Sequence, residues 1–183
     1  TTLGRGRPAK ALSVPFILGL NGNAITMSHA LADKVAPAGR LGDPVSVGEK
    51  LRAEIQKRAG SGDRIRFGVV HRYSGHNYKL RYWLAQCGIA PDTDVDIVTI
   101  APPFAADALA NAEVDGICVG EPWNSVAVER GIGRIVLVTA QIWRRGVEKV
   151  LAMPADKLVG DRDKIERLVR ALHFAAKHFI DPE

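Results

Sequence analysis

Between Asp63 and Gln141, short apolar runs alternate with longer amphipathic stretches, and few architectures accommodate that rhythm. RIRFGVV, VDIVTIA, DGICVGEP and RIVLVTA have strand length. HNYKLRYWLAQCGI, FAADALANAEV and WNSVAVERGI, which separate them, have helical length and spacing. This alternation predicts βαβ units on a parallel sheet, with helices covering its faces. Gly88, with Pro91 beyond it, marks the end of the first of these helices, and Pro102 and Pro103 break the second strand.

The flanks follow another pattern. SVPFILGLNGN is an extended apolar segment ending in a turn sequence. AITMSHALADKVA and GEKLRAEIQKRAG read as two helices joined by the Gly- and Pro-rich loop PAGRLGDPVSV. After the fourth run, VEKVLAMP reads as a strand, and DRDKIERLVRALHFAAKHFID as a long amphipathic helix capped by Asp161 or Asp163. These outer elements have no place in the alternating block. Residues 1–20 and 145–183 are therefore assigned to remnants of one lobe, and residues 21–144 to a second, α/β lobe.

The 183 residues suffice for one large domain or two small lobes. No apolar run approaches the roughly 20 residues that cross a bilayer, and no secretory leader pattern stands at the front, where the chain opens on Thr1. Cys87 and Cys118 have neither disulfide-framework nor metal-ligand spacing and read as small buried thiols. The net charge of +5 favours anionic partners, although acids accompany most of the basic residues.

In open parallel sheets ligands gather at the carboxyl ends of strands, where helix starts present unsatisfied N–H groups and a partial positive charge. SGHN, after the first strand, occupies such a place. Ser74 and Asn77 can cap the helix, Gly75 lets backbone approach a ligand, and His76 offers a ring donor, with Lys79 and Arg81 following. The turn serves equally as a plain helix cap with His76 half exposed. It has neither Walker nor Rossmann glycine spacing. Asn21 and Asn23 flank Gly22 where the first apolar segment ends, as anion donors or as a turn. Glu121 and Trp123 stand at the end of the third strand, where Glu121 can accept a hydrogen bond in a cleft, orient a cation or cap the next helix. Lys149 precedes an apolar strand, aimed into a cleft or simply solvated.

HNYKLRYWLAQCGIAPDTDVDIVTIAPP, VDGICVGEPWN, QIWRRGVEKVLAM and LNGNAIT together resemble the nitrate/bicarbonate family of ABC-transporter substrate-binding proteins, which includes a nitrate/nitrite-sensing regulator. The resemblance covers nearly the whole chain. It implies a two-lobed periplasmic-binding-protein-like fold of type II, with most of the first lobe missing here and the ligand in the cleft. It also implies a binding role without catalysis or cofactor, an ABC membrane permease as partner, and a periplasmic or membrane-anchored location. Family ligand positions fall on Asn23, with Asn21 less favoured, on His76, on the backbone N–H of Asn77, and on Lys149. A lysine at that last position is similar to the nitrate-selective members, whereas bicarbonate binders are acidic there and recruit a metal. The chain departs from transporter components in reading RRGVEK where they carry His-Pro before the Glu-Lys pair.

Nitrate suits such donors, being a planar monoanion with acceptors only. Bicarbonate needs an acceptor for its O–H, which Glu121 would have to supply. Three other readings compete. RGRP at residues 5–8 equals the core of a minor-groove DNA-binding hook. Cys118, His76 and Glu121 are the material for a nucleophile and base. The sensor branch implies a cytoplasmic protein controlling an RNA-binding antitermination regulator, without binding nucleic acid itself.

Overall fold

The computed structural model describes Pro8, residues 10–60 and residues 62–180. Arg5, Gly6 and Arg7 of the DNA-hook sequence lie outside these. In chain order the elements are β1 (Leu12–Leu20), β2 (Asn23–Ser28), α1 (His29–Val35), α2 (Pro44–Arg58), β3 (Arg66–Val69) and α3 (Gly75–Gln86). There follow β4 (Asp96–Thr99), a single 3-10 turn at Pro102–Phe104, α4 (Ala105–Ala110), β5 (Gly116–Gly120), α5 (Trp123–Glu129) and β6 (Gly133–Val138). The last elements are α6 (Thr139–Ile142), β7 (Val147–Pro154), α7 (Ala155–Gly160) and α8 (Arg162–Ile180). They cluster into two units: Asn21–Gly146, and the described residues up to Leu20 together with those from Val147.

The Asn21–Gly146 unit holds a five-stranded sheet in the order β4-β3-β5-β2-β6. β3 runs parallel to β4 and β5, as the alternating rhythm predicts. The all-parallel expectation needs one correction. β2 is antiparallel to both β5 and β6, so the sheet is mixed. This strand occupies the first half of AITMSHALADKVA, read above as helix; only His29–Val35 is helical, with Ser28 Oγ accepting from Leu31 N–H at 3.4 Å. A strand buried on both faces shows no alternation, so its apolar run looks like part of a buried helix. α2 also starts earlier than read: Asp43 accepts from Ser46 N–H at 2.9 Å, and Pro44, assigned above to a loop, opens the helix, where its missing N–H costs nothing.

Side-chain alternation along β5 divides the core. Cys118 joins Ile25, Met27, Phe67, Leu80 and Leu84 beneath α1, α2 and α3, while Ile117 and Val119 pack with Leu109 and Ala127 of α4 and α5. Cys118 is fully buried, as expected; Cys87, at the C-cap of α3, is only half-buried, and desolvation there raises its thiol pKa. Gly133 has no room for a side chain against its neighbouring strand: a Cβ there would stand 2.5 Å from the Met27 carbonyl oxygen. Gly133→Ala is expected to cost about 2 kcal/mol, because strand backbone cannot yield as a flexible side chain does; urea unfolding checks this.

In the other unit β1 pairs antiparallel with β7, from Leu12 opposite Pro154 to Leu20 opposite Val147. The two helices α7 and α8 complete it. Among the described residues Ile165 is its only buried hydrophobic side chain, whereas Val14, Leu18, Val159, Phe174 and Phe179 are exposed. Two strands and a helix pair are too small to enclose the apolar surface they carry. Among the described residues no helix is long and apolar enough to cross a membrane.

Candidate functional site

The turn from β3 into α3 is held by its own atoms. Ser74 is the N-cap: its Oγ accepts from Asn77 N–H at 3.2 Å and donates to the His71 carbonyl at 2.7 Å. Asn77 Nδ2 donates to the Arg72 carbonyl at 2.6 Å. The capping role proposed for Ser74 is therefore present, and the Asn77 N–H expected to face an anion is engaged by the cap. His76 is not half exposed as a plain cap would leave it; its exposure is 9%. Its carbonyl accepts from Cys118 Sγ at 3.5 Å, which binds the first turn of α3 to β5.

The carboxyl end of β5 is where the candidates meet. A Cβ on Gly120 would lie 3.1 Å from Asn23 Oδ1 and 3.5 Å from His76 Nε2. An amide and an imidazole thus converge on one glycine, brought there because Asn23 pairs with Gly120 across β2 and β5. Asn23 is 3% exposed and its carbonyl accepts from the buried Thr139 Oγ at 3.0 Å, which fixes the strand end carrying it. Gly75 stands close by in sequence as the first, exposed residue of α3.

Asn21 serves a different purpose. Its φ of 58° is left-handed, a conformation asparagine tolerates, and its side chain clamps the segment ahead of β7. Asn21 Nδ2 donates to the Arg144 carbonyl at 3.0 Å, and Asn21 Oδ1 accepts from Gly146 N–H at 3.2 Å. Lys79 reaches the same segment, since a Cβ on Gly146 would meet its Nζ at 2.7 Å. Arg81 is taken up by Asp92 at 2.5 Å. Glu121 Oε2 accepts from Ser125 N–H at 3.1 Å and Ser125 Oγ at 2.8 Å, the capping option of the three considered for it.

Lys149 belongs to the other unit. It sits on β7 opposite Gly19, with a largely exposed side chain whose Nζ lies 3.1 Å from Glu148 Oε1. Asn23, His76, Asn77, Gly75 and Glu121 thus share the Asn21–Gly146 unit, and Lys149 does not.

Three residues escaped sequence reasoning. Gly120 is the meeting point itself. Thr139 anchors Asn23. Asn124, fully buried, accepts from Thr26 Oγ at 2.9 Å and donates to the Val119 carbonyl at 2.9 Å, tying β2 to β5 and α5. VGEPWN contained two of them, and a polar residue in the first turn of a mostly apolar helix was the available signal.

Comparison with known proteins matches the whole chain, residues 1–183, to the NMT1-like family. The chain is 38% identical over 154 residues to the nitrate import ATP-binding protein NrtC of Synechocystis sp., covering 83% of this chain and 21% of that protein. It is 35% identical over 140 residues to the nitrate/nitrite binding protein NrtA of Synechococcus elongatus, covering 76% of this chain and 30% of that protein. The chain therefore spans about a fifth to a third of the length of these relatives. The crystal structure of the periplasmic nitrate-binding protein NrtA from Synechocystis superposes with a TM-score of 0.69 at 24% identity, over 87% of this chain and 38% of that one. The alkanesulfonate-binding protein SsuA of Xanthomonas axonopodis pv. citri gives 0.63 at 15%, over 94% and 50%. The fold is periplasmic-binding-protein-like, and these structures that share it are binding proteins, not enzymes.

Proposed function

The chain belongs to the NMT1-like family, and from that membership we propose that it is part of a solute-binding protein that captures nitrate or nitrite for an ABC importer. The observation that carries this reading is the convergence of Asn23 and His76 at Gly120, beside the start of α3. A buried amide and imidazole can both donate to a small oxyanion, and the helix start adds favourable potential. The balancing charge is assigned to Lys149, the role the family resemblance implies for it. The Asn77 N–H joins only by leaving Ser74 Oγ or sharing its hydrogen with it.

In this reading the Asn21–Gly146 unit is the second lobe, and β1, β7, α7 and α8 are part of the first. The exposed apolar side chains of that smaller unit support the assignment, because a complete lobe would cover them. An importer component of this kind works outside the cytoplasmic membrane and docks on the permease. A second arrangement draws on the match to ATP-binding relatives: the same fold carried as a module of the transporter's ATP-binding subunit. This chain has no phosphate-loop spacing of its own, so it would be the ligand-sensing part of such a subunit.

Calorimetry on the complete protein with nitrate, nitrite, bicarbonate and an alkanesulfonate tests the proposal. Nitrate or nitrite is expected to bind, and His76→Ala to weaken it at least about tenfold, the usual worth of a hydrogen bond to a charged group. Heat from bicarbonate or sulfonate alone overturns the ligand assignment. Wild-type affinity in His76→Ala overturns the site.

A further inference from the structure

β1 and β7 pair with each other and, among the described residues, with no further strand. Neither carries a buried residue, so no apolar face fixes their alignment. In such a pair register is weakly specified, and a slip of one residue turns every side chain to the opposite face. At Lys149 that slip would redirect the ammonium. The alignment is therefore set at the ends of the ladder.

At the far end Ala155 N–H donates to the Ala11 carbonyl at 3.0 Å, six residues beyond Lys149. The near end lies three residues before Lys149, and Asn21 holds it. Asn21 N–H donates to the Gly146 carbonyl at 2.7 Å, and Gly146 N–H donates to Asn21 Oδ1 at 3.2 Å. A regular antiparallel pair exchanges both bonds through backbone. Here the side-chain oxygen replaces one carbonyl, which lets the Asn21 backbone take its φ of 58° and, with Gly22 at 80°, turn out of β1. Asn21 Nδ2 adds a bond to the Arg144 carbonyl at 3.0 Å. Gly146 fits this clamp closely, since a Cβ there would stand 3.1 Å from Asn21 Oδ1.

Between the clamp and Lys149 the ladder is irregular. Leu20 stands opposite Val147 and Gly19 opposite Lys149, so Glu148 is an extra residue on β7. A bulge of this kind re-aims the side chains beside it. An unpinned pair can accommodate its extra residue at more than one place, and only one of those places leaves Lys149 as it stands.

We propose that Asn21 is a positioning residue for Lys149: its clamp on Gly146 holds the bulge at Glu148 and with it the face of β7 that carries the ammonium. The proposal rests on the reading of Lys149 as the countercharge for nitrate or nitrite, and adds a residue that acts on the anion without touching it.

Nitrate calorimetry on four forms of the complete protein tests it: wild type, Asn21→Gly, Lys149→Ala and the double variant. Glycine tolerates the left-handed backbone and keeps the backbone bond to Gly146, while both side-chain bonds are lost. Asn21→Gly is expected to weaken nitrate binding about tenfold, a common effect of losing the outer partner of an ion's ligand. In the Lys149→Ala background the same change is expected to cost nothing further, because no ammonium remains to be aimed. A merely structural contribution would lower affinity equally in both backgrounds. Gly146→Ala crowds the clamp from the other side and is expected to act in the same direction, which keeps the test open if Asn21→Gly folds poorly. Wild-type affinity in Asn21→Gly and Gly146→Ala, alongside weakened binding in Lys149→Ala, overturns the proposal and leaves the anion site standing. An equal loss in both backgrounds also overturns it. Wild-type affinity in Lys149→Ala, or no nitrate binding by the wild type, overturns the reading beneath it and the proposal together.

Discussion

Asn124→Ala lowers the unfolding free energy by about 3 kcal/mol, the largest stability effect expected of a single polar residue here. The side chain is fully buried and both its ends are bonded, to Thr26 Oγ and the Val119 carbonyl. Alanine strands a hydroxyl and a carbonyl inside the sheet and leaves a small void between β2, β5 and α5. Each stranded group costs roughly 1–3 kcal/mol, and the void adds to that. Thr26→Val removes one of the same bonds, so the double variant Thr26→Val/Asn124→Ala should lose less than the sum of the two. A coupling of about 1 kcal/mol is expected from denaturant unfolding of the three variants. Strict additivity would mean that the bond contributes nothing, and the account of how β2 is held would fail.

Lys149→Ala is expected to reduce nitrate affinity of the complete protein at least about a hundredfold, with little change in Tm. On the proposed function nitrate would lose the countercharge assigned to Lys149, and deleting one partner of a desolvated, hydrogen-bonded charge pair costs about 2–5 kcal/mol. Stability should change little, because the ammonium is largely exposed and solvent screens its pull on the mostly buried Glu148 carboxylate. Lys149→Arg keeps the charge with a different shape, so intermediate binding would separate charge from fit. Calorimetry giving wild-type nitrate affinity in Lys149→Ala removes the lysine from the site and leaves the anion unbalanced.

The legibility of the fold varied by element, for identifiable reasons. β3, α3, β4, α4, β5, α5 and β6 were readable because apolar runs of strand length alternate there with stretches of helical length. β2 was not. Ala24, Ile25, Thr26 and Met27 are buried on both faces, and a run without alternation carries no period to read. The start of α2 was misplaced because Asp43-Pro44 stood in a Gly- and Pro-rich stretch, where the same pair also suits a turn.

Candidate site residues were legible as types and opaque as positions. Glu121 had three possible roles, and only the position of Ser125, at 2.8 Å, shows the one it fills. Asn21 and Asn23, two residues apart, separate into a clamp for the Arg144–Gly146 segment and a partner of His76 at Gly120. His76 and Asn77 separate in the same way, one toward Gly120 and the other to the Arg72 carbonyl within the turn.

By itself the sequence determined which segments become strands and helices across the alternating block, that Ser74 closes a helix start, and which polar side chains stood near strand ends. Those outcomes depend on spacing and on hydrogen bonds among near neighbours. Tertiary structure alone decided that Asn23 and His76 meet at Gly120, and that β2 enters the sheet antiparallel between β5 and β6. Strand order is set by how whole apolar faces share one core, a global balance of burial that no local stretch of residues encodes.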